Sequence, residues 1–250
     1  MLPKVIAFDL DETLTESKQA LTPKMAELLR RLMHHTNVAV VTGGKYEIFL
    51  TQVFGYLHPE TNFKNLYALP TCGSALHRYE NDSFIPVYQE LLAEEAAERI
   101  RVAIEEAMQE TGVIDLSIPS YGERIEYRGS QVTLSALGQT APIDEKKAWD
   151  PERIKRPILR DAIAKRLPEF DVKTGGSTSF DVTLPGINKA YGVRRLSEHL
   201  LIPISEMIYI GDALFPGGND EVVKETGILT RQIKDPDETA EVIEELLARV

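Results

Sequence analysis

The sequence predicts an α/β protein: a doubly wound, Rossmann-like parallel-sheet core interrupted by an inserted α+β module. Three observations carry this prediction. Short continuous apolar runs alternate with helical patterns near both ends of the chain, as strands covered on both faces require. The middle breaks that rhythm with glycine-turned strands and a long charged helix. Polar residues sit at the ends of the apolar runs, where an open parallel sheet places its ligands.

VIAFDL, from Val5, reads as the first buried strand. MAELLRRLMHH sets Met25, Leu28, Leu29 and Leu32 at helical spacing, with Pro23 suited to a first turn and His34 and His35 at the helix end. NVAVVTGG is a second strand ending at Thr42, which completes a right-handed βαβ unit. NLYALPTCG, from Asn65, is a third strand. HRYENDSFIPVYQE then reads as a hairpin turning at Asn81 and Asp82. LLAEEAAERIRVAIEEAMQETG is a long amphipathic helix with a solvated acidic face. RIEYRGSQVTLSALG and FDVKTGGSTSFDVTLPG read as meandering strands separated by a helix over residues 151–166. The opening pattern then returns: NKAYGVRRLSEHL as a helix, MIYIGDAL as a strand closing on Asp212, EVVKETGILT leading into a helix and strand, and TAEVIEELLARV as the last helix. The expected division is a core of residues 1–82 and 187–250 around an insert of residues 83–186.

With 250 residues, 43% of them hydrophobic, the chain can bury one large core or two modest ones. A net charge of −11 and a pI near 5.0 argue against nucleic acid or an anionic membrane as the main partner. The single cysteine, Cys72, excludes an internal disulfide and a cysteine-rich zinc site. The N-terminal apolar run is too short to span a membrane and lacks a signal-peptide cleavage pattern, so a soluble, cytoplasmic protein is expected.

Asp9 and Asp11 follow the first strand, Thr42 the second, and Asp212 a late one, with Asn219 and Asp220 in the loop beyond. Carboxylates converging on one point repel one another, and Mg²⁺ is the hard cation that accepts a few of them together with a phosphate oxygen. Asp9 then suits a nucleophile toward phosphorus, Asp11 a general acid and base, and Thr42 and Lys189 donors to the transferring phosphoryl group. Gly43 and Gly44, beside Thr42, are candidate substrate-binding positions.

Asp-x-Asp-x-Thr from Asp9, the hydroxyl of Thr42, Lys189, and the Gly-Asp…Asn-Asp stretch ending at Asp220 together resemble the haloacid dehalogenase superfamily of aspartate-nucleophile phosphotransferases. IGDALFPGGND, GGSTSFDVTLPGINK and IEYRGSQVTLSALG narrow the resemblance to its subfamily IIB and the eukaryotic-type phosphomannomutase branch. The resemblance implies that the insert is a cap domain that closes over a hexose phosphate and supplies a homodimer interface. It implies metal binding by Asp9, Asp11, Asp212, Asn219 and Asp220, and substrate binding by Lys18, Arg128, Gly176, Ser179 and Asp181. For Arg128 an ion pair with Glu126 is the ordinary alternative.

The chain departs from that pattern at two places. Glu12 stands where the family usually has Gly, and Gln139 where it has Arg, with Lys146 and Lys147 as nearby candidates for a further cap arginine. Arg to Gln removes a bidentate phosphate clamp. A mutase needs two strong phosphate sites and a phosphatase needs one. The expectation is a Mg²⁺-dependent phosphotransferase acting on a small phosphorylated sugar, with hydrolysis favoured. The alternatives are a phosphomannomutase or phosphoglucomutase, and a noncatalytic sugar-phosphate binder.

Overall fold

The computed structural model describes residues 2–250, and two sheets organise it. In chain order the elements begin with β1 (Val5–Asp9), α1 (Pro23–Met33), β2 (Asn37–Val41), α2 (Tyr46–Gln52), β3 (Leu66–Leu69), β4 (Ala75–Glu80) and β5 (Ser83–Gln89). They continue with α3 (Glu94–Thr111), β6 (Ile125–Tyr127), β7 (Gln131–Ser135), α4 (Ile143–Trp149), α5 (Lys155–Arg166), β8 (Asp171–Thr174) and β9 (Ser179–Thr183). The chain closes with α6 (Lys189–Leu200), β10 (Met207–Gly211), β11 (Leu229–Gln232) and α7 (Pro236–Leu247).

The chain divides into two compact units, residues 1–89 with 187–250, and residues 90–186. The first holds a seven-stranded sheet in the order β11-β10-β1-β2-β3-β4-β5. Its five strands from β11 to β3 run parallel, and β4 and β5 add an antiparallel edge. β1 and β2 are buried along nearly their whole lengths because helices cover both faces of the sheet centre, which explains the unbroken apolar runs. Thr22 caps α1 by accepting the Met25 N–H at 3.2 Å, and His34 ends that helix as expected.

The second unit is a four-stranded antiparallel sheet, β6-β7-β9-β8, with α3 and α5 packed on its apolar side. Val132, Leu134, Phe180 and Val182 point into that core, so by strand alternation Gln131, Thr133, Ser179 and Asp181 share the other face.

Three expectations shift. The hairpin strand over 83–89 pairs with β4 inside the seven-stranded sheet, so the insert starts at residue 90 rather than 83. The helix expected from residue 151 begins at Lys155, which puts Pro157 in the first turn, where its missing N–H costs no intrahelical bond. A separate short helix, α4, precedes it, and Trp149 at its end packs partly against the insert's core. Beyond β10, residues 221–226 form only 3₁₀ turns, ended by Gly227. Among the described residues no helix is long and apolar enough to cross a membrane.

Candidate active site

Register builds the site in the first unit. Asp9 lies opposite Val41 across the β1–β2 ladder, and Phe8 lies opposite Ile210 across β1–β10. Asp9, Thr42 and Asp212 therefore emerge together at the carboxyl edge of three adjacent strands. The loop after β10 returns through Gly217, whose φ of +82° suits glycine, and Asp220 N–H donates to the Ala213 carbonyl at 3.2 Å. That closure turns the Asp220 side chain under β10, where it is fully buried.

Asp9, Asp212 and Asp220 offer carboxylate oxygens that all lie within 4.8 Å of one another. Lys189, the first residue of α6 and 1% exposed, bridges two of them: Nζ donates to Asp9 Oδ1 and to Asp220 Oδ1, each at 2.6 Å. The Tyr209 hydroxyl donates to Asp220 Oδ1 at 2.6 Å, and Ala213 N–H to Asp220 Oδ2 at 3.2 Å. Asp212 N–H donates to Thr13 Oγ1 at 3.1 Å. The Thr42 hydroxyl, buried, accepts the Gly44 N–H at 3.0 Å, which shapes the Thr42-Gly43-Gly44 turn.

Burial pushes Asp9 up to about 8; the Lys189 ammonium opposes this, and the Asp220 and Asp212 carboxylates add to it. Asp212 is raised by burial and by Asp220. The ammonium of Lys189 is held well above its usual range by Asp220 and Asp9, which outweigh its burial. Three carboxylates facing one ammonium form an all-oxygen donor set with excess negative charge, which fits a hard divalent cation. The residues able to hold one are Asp9 and Asp212, with Asp220 adjoining.

Two expected metal positions fall outside this cluster. Asp11 is two residues beyond Asp9 in a turn, and its Oδ1 accepts the Lys18 N–H at 2.8 Å. Asn219 is exposed, because the contacts that turn Asp220 inward leave its neighbour facing solvent. Lys18 is also exposed, with a φ of +61°. Glu12, at φ +59°, accepts the Ser17 N–H at 3.3 Å, so the departure from glycine is held by a local bond.

In the second unit, Glu126, Thr133, Asp181 and Lys173 form one row across the sheet. Asp181 Oδ1 accepts from Thr133 Oγ1 at 2.7 Å and from Gln131 Nε2 at 3.1 Å. Burial raises Asp181, opposed by the Thr133 hydrogen bond and the charges of Arg128 and Lys173. Arg128 Nε pairs with Glu126 at 2.7 Å, and its Nη2 donates to Gln139 Oε1 at 3.4 Å. Gly176 is exposed and its carbonyl accepts from Arg156 Nη1 at 3.2 Å, while the Ser179 carbonyl accepts the Gly175 N–H at 2.8 Å. Lys146 Nζ donates to the Gln139 carbonyl at 3.0 Å.

Sequence reading left Tyr209, Gln131, Thr133 and Thr13 out of the candidate site. Thr13 had a signal, as the last residue of Asp-x-Asp-x-Thr. Tyr209 had none, since a tyrosine in a buried apolar strand reads as core.

The strand-edge acidic cluster on this parallel sheet, with its second α+β unit, defines a haloacid dehalogenase superfamily enzyme. A family profile described as eukaryotic phosphomannomutase matches residues 25–249, and the chain belongs to that family. Phosphomannomutase from Oryza sativa subsp. indica is 28% identical over 243 residues, 94% of this chain and 92% of that protein. Phosphomannomutase 2 from Dictyostelium discoideum is 26% identical over 247 residues, 96% of this chain and 94% of that protein. The fold is shared with Plasmodium falciparum IMP-nucleotidase, at TM-score 0.73 and 19% identity over 99% of this chain and 62% of that one. It is also shared with a haloacid dehalogenase-like hydrolase from Bacteroides thetaiotaomicron, at TM-score 0.63 and 18% identity over 97% and 99%.

Proposed function

We propose that the protein is a Mg²⁺-dependent phosphotransferase that acts on hexose phosphates and releases inorganic phosphate. The observation that carries this reading is Lys189, buried and shared at 2.6 Å between Asp9 and Asp220 beside Asp212. An ammonium so placed neutralises charge on a phosphoryl group presented to Asp9. When bound, Mg²⁺ would offset the remaining negative charge of the carboxylates and the phosphate.

An Asp9 carboxylate oxygen attacks phosphorus, the bond from phosphorus to the sugar oxygen breaks, and Asp11 gives its proton to the departing sugar oxygen. The result is an aspartyl phosphate and a free sugar hydroxyl. Asp11 then accepts a proton from water as the water oxygen attacks phosphorus, which releases phosphate and restores Asp9. For this exchange the Asp11 side chain must reach the leaving group from the turn that the Lys18 N–H stabilises. Thr42 donates to the transferring group, and the backbone of Gly43 and Gly44 lines its approach. In the insert, Asp181 and Ser179 suit sugar hydroxyls, with Gly176 beside them, and Arg128 suits an anion.

Hydrolysis is favoured because Gln139 replaces a cationic clamp and Arg128 is already paired with Glu126. A mutase outcome, in which a second sugar hydroxyl takes the place of water, has the support of phosphomannomutase relatives aligned over nearly the whole chain. A cytoplasmic location fits the acidic surface and the single cysteine, and a homodimer through the insert fits the family resemblance.

The test is to incubate the protein with Mg²⁺ and glucose 1-phosphate or mannose 1-phosphate, with and without the hexose 1,6-bisphosphate. Phosphate and hexose 6-phosphate are then quantified together. Free phosphate without the 6-phosphate is expected; bisphosphate-dependent 6-phosphate with little free phosphate would replace phosphatase by mutase.

A further inference from the structure

We infer that Tyr209 is a positioning residue of the acidic site: its phenol pins the Asp220 carboxylate as the anchor for Lys189, leaving Asp9 and Asp212 to face the cation. This rests on the Mg²⁺ reading proposed above.

Tyr209 is fully buried in the middle of β10, within an apolar layer that includes Val5, Ala7, Val41, Leu69 and Val193. A phenylalanine would fill that space without bringing a hydroxyl into it. A buried hydroxyl is costly unless it is hydrogen-bonded, so its partner is the reason for a tyrosine here. That partner is Asp220 Oδ1, at 2.6 Å. Burial and the Asp220 charge keep the phenol protonated, so it acts only as a donor to the carboxylate.

The acceptor count separates the three carboxylates. An ionised carboxylate has about four acceptor directions. Asp220 has three filled by donors on different elements: Tyr209 on β10, Lys189 on α6, and Ala213 N–H in the returning loop. Its orientation is therefore fixed by the protein. Asp9 receives Lys189 on Oδ1, and Asp212 receives a long contact from Thr13 on Oδ1 at 3.5 Å. The remaining oxygens of these two suit a cation. Gly211 serves the same arrangement, because a Cβ there would collide with the Asp220 carboxylate and come within 3.0 Å of the Tyr209 ring. The strand-end glycine and the tyrosine together let Asp220 approach β10 closely enough for the hydrogen bond.

The phenol also governs Lys189. It shares Oδ1 of Asp220 with Nζ, so the carboxylate that seats the ammonium is itself held in place. Removing the hydroxyl frees Asp220 to rotate and loosens the seat of Lys189 beside Asp9.

The experiment is isothermal titration of Mg²⁺ into the metal-free, full-length protein and into its Tyr209→Phe variant. Tyr67→Phe serves as a control that removes a phenol from the same apolar layer. Loss of a residue that orients a metal site from behind typically costs tenfold or more, so Tyr209→Phe is expected to bind Mg²⁺ about tenfold more weakly, with Tyr67→Phe unchanged. In a double-mutant cycle with Asp220→Asn, the Tyr209 substitution should have little further effect, because it acts through Asp220. Circular dichroism confirms that each variant is folded. Equal Mg²⁺ affinity in the wild type and Tyr209→Phe would overturn the inference and leave Tyr209 a packing residue. No Mg²⁺ binding by the wild type would instead overturn the metal reading, and the role of Tyr209 with it.

Discussion

Burial, with the Asp220 and Asp212 carboxylates, raises the Asp9 carboxyl to about 8 against the opposing pull of Lys189 at 2.6 Å. A bound divalent cation would add to that pull, which would tie the charge state of the proposed nucleophile to metal occupancy. Another buried titratable group, His77 on β4, lies outside this cluster and bears on stability. It is 4% exposed, stacked on Tyr46 with ring centroids 4.2 Å apart, and its Nδ1 has no hydrogen-bond partner among the described residues. Burial lowers its pKa below the ordinary value near 6.5, with Glu47 opposing. The folded state thus binds a proton less readily than the unfolded chain. The stability due to neutral His77 is complete above about pH 6.5 and declines as pH falls below it. His77→Phe keeps the stacking and removes the titration. Denaturant midpoints measured from about pH 8 to 5 should therefore fall less steeply for the variant than for the wild type. Parallel curves would show that His77 carries no such linkage.

Elements whose ends carry the chemistry were the legible ones. β1, β2 and β10 announce themselves as apolar runs, and a carboxylate or threonine at the end of each marks the sheet's carboxyl edge. The insert was harder to read, because its boundary depends on which sheet recruits the hairpin strand β5, a tertiary choice that local pattern does not encode. The inward turn of Asp220 and the outward one of Asn219 depend likewise on loop closure onto Ala213. The start of α5 also needed the structure. Asp150, with its side chain 3% exposed, accepts the N–H groups of Ile154, Lys155 and Arg156 at 2.8, 3.0 and 3.1 Å, and pairs with Arg156 Nε at 3.2 Å. Burial works against this carboxylate's charge, but the three N–H groups and Arg156 hold its pKa below the usual range. Asp150→Ala leaves those donors unmet and should destabilise the protein by about 2 kcal/mol in denaturant unfolding. A loss below about 0.5 kcal/mol would mean that water replaces the cap without penalty.

Across the whole chain, two compact units each carry part of the proposed reaction. The unit with the parallel sheet holds the charge machinery, Asp9, Lys189, Asp212 and Asp220. The antiparallel unit holds a polar sheet face on which Gln131 and Thr133 orient Asp181. The proposed function assigns phosphoryl transfer and sugar recognition to separate units, so substitutions in one should leave the folding of the other largely intact. Membership of the eukaryotic phosphomannomutase family accounts for the shared plan. The central claim is that Asp9 becomes covalently phosphorylated. Its most direct test is to react the protein with Mg²⁺ and a hexose 1,6-bisphosphate, quench with acid, reduce with borohydride, and sequence the peptides by mass spectrometry. An aspartyl phosphate is reduced to homoserine, so homoserine at position 9 and nowhere else is the predicted result, absent in Asp9→Asn. An unmodified Asp9 in protein that is turning over substrate would contradict the account.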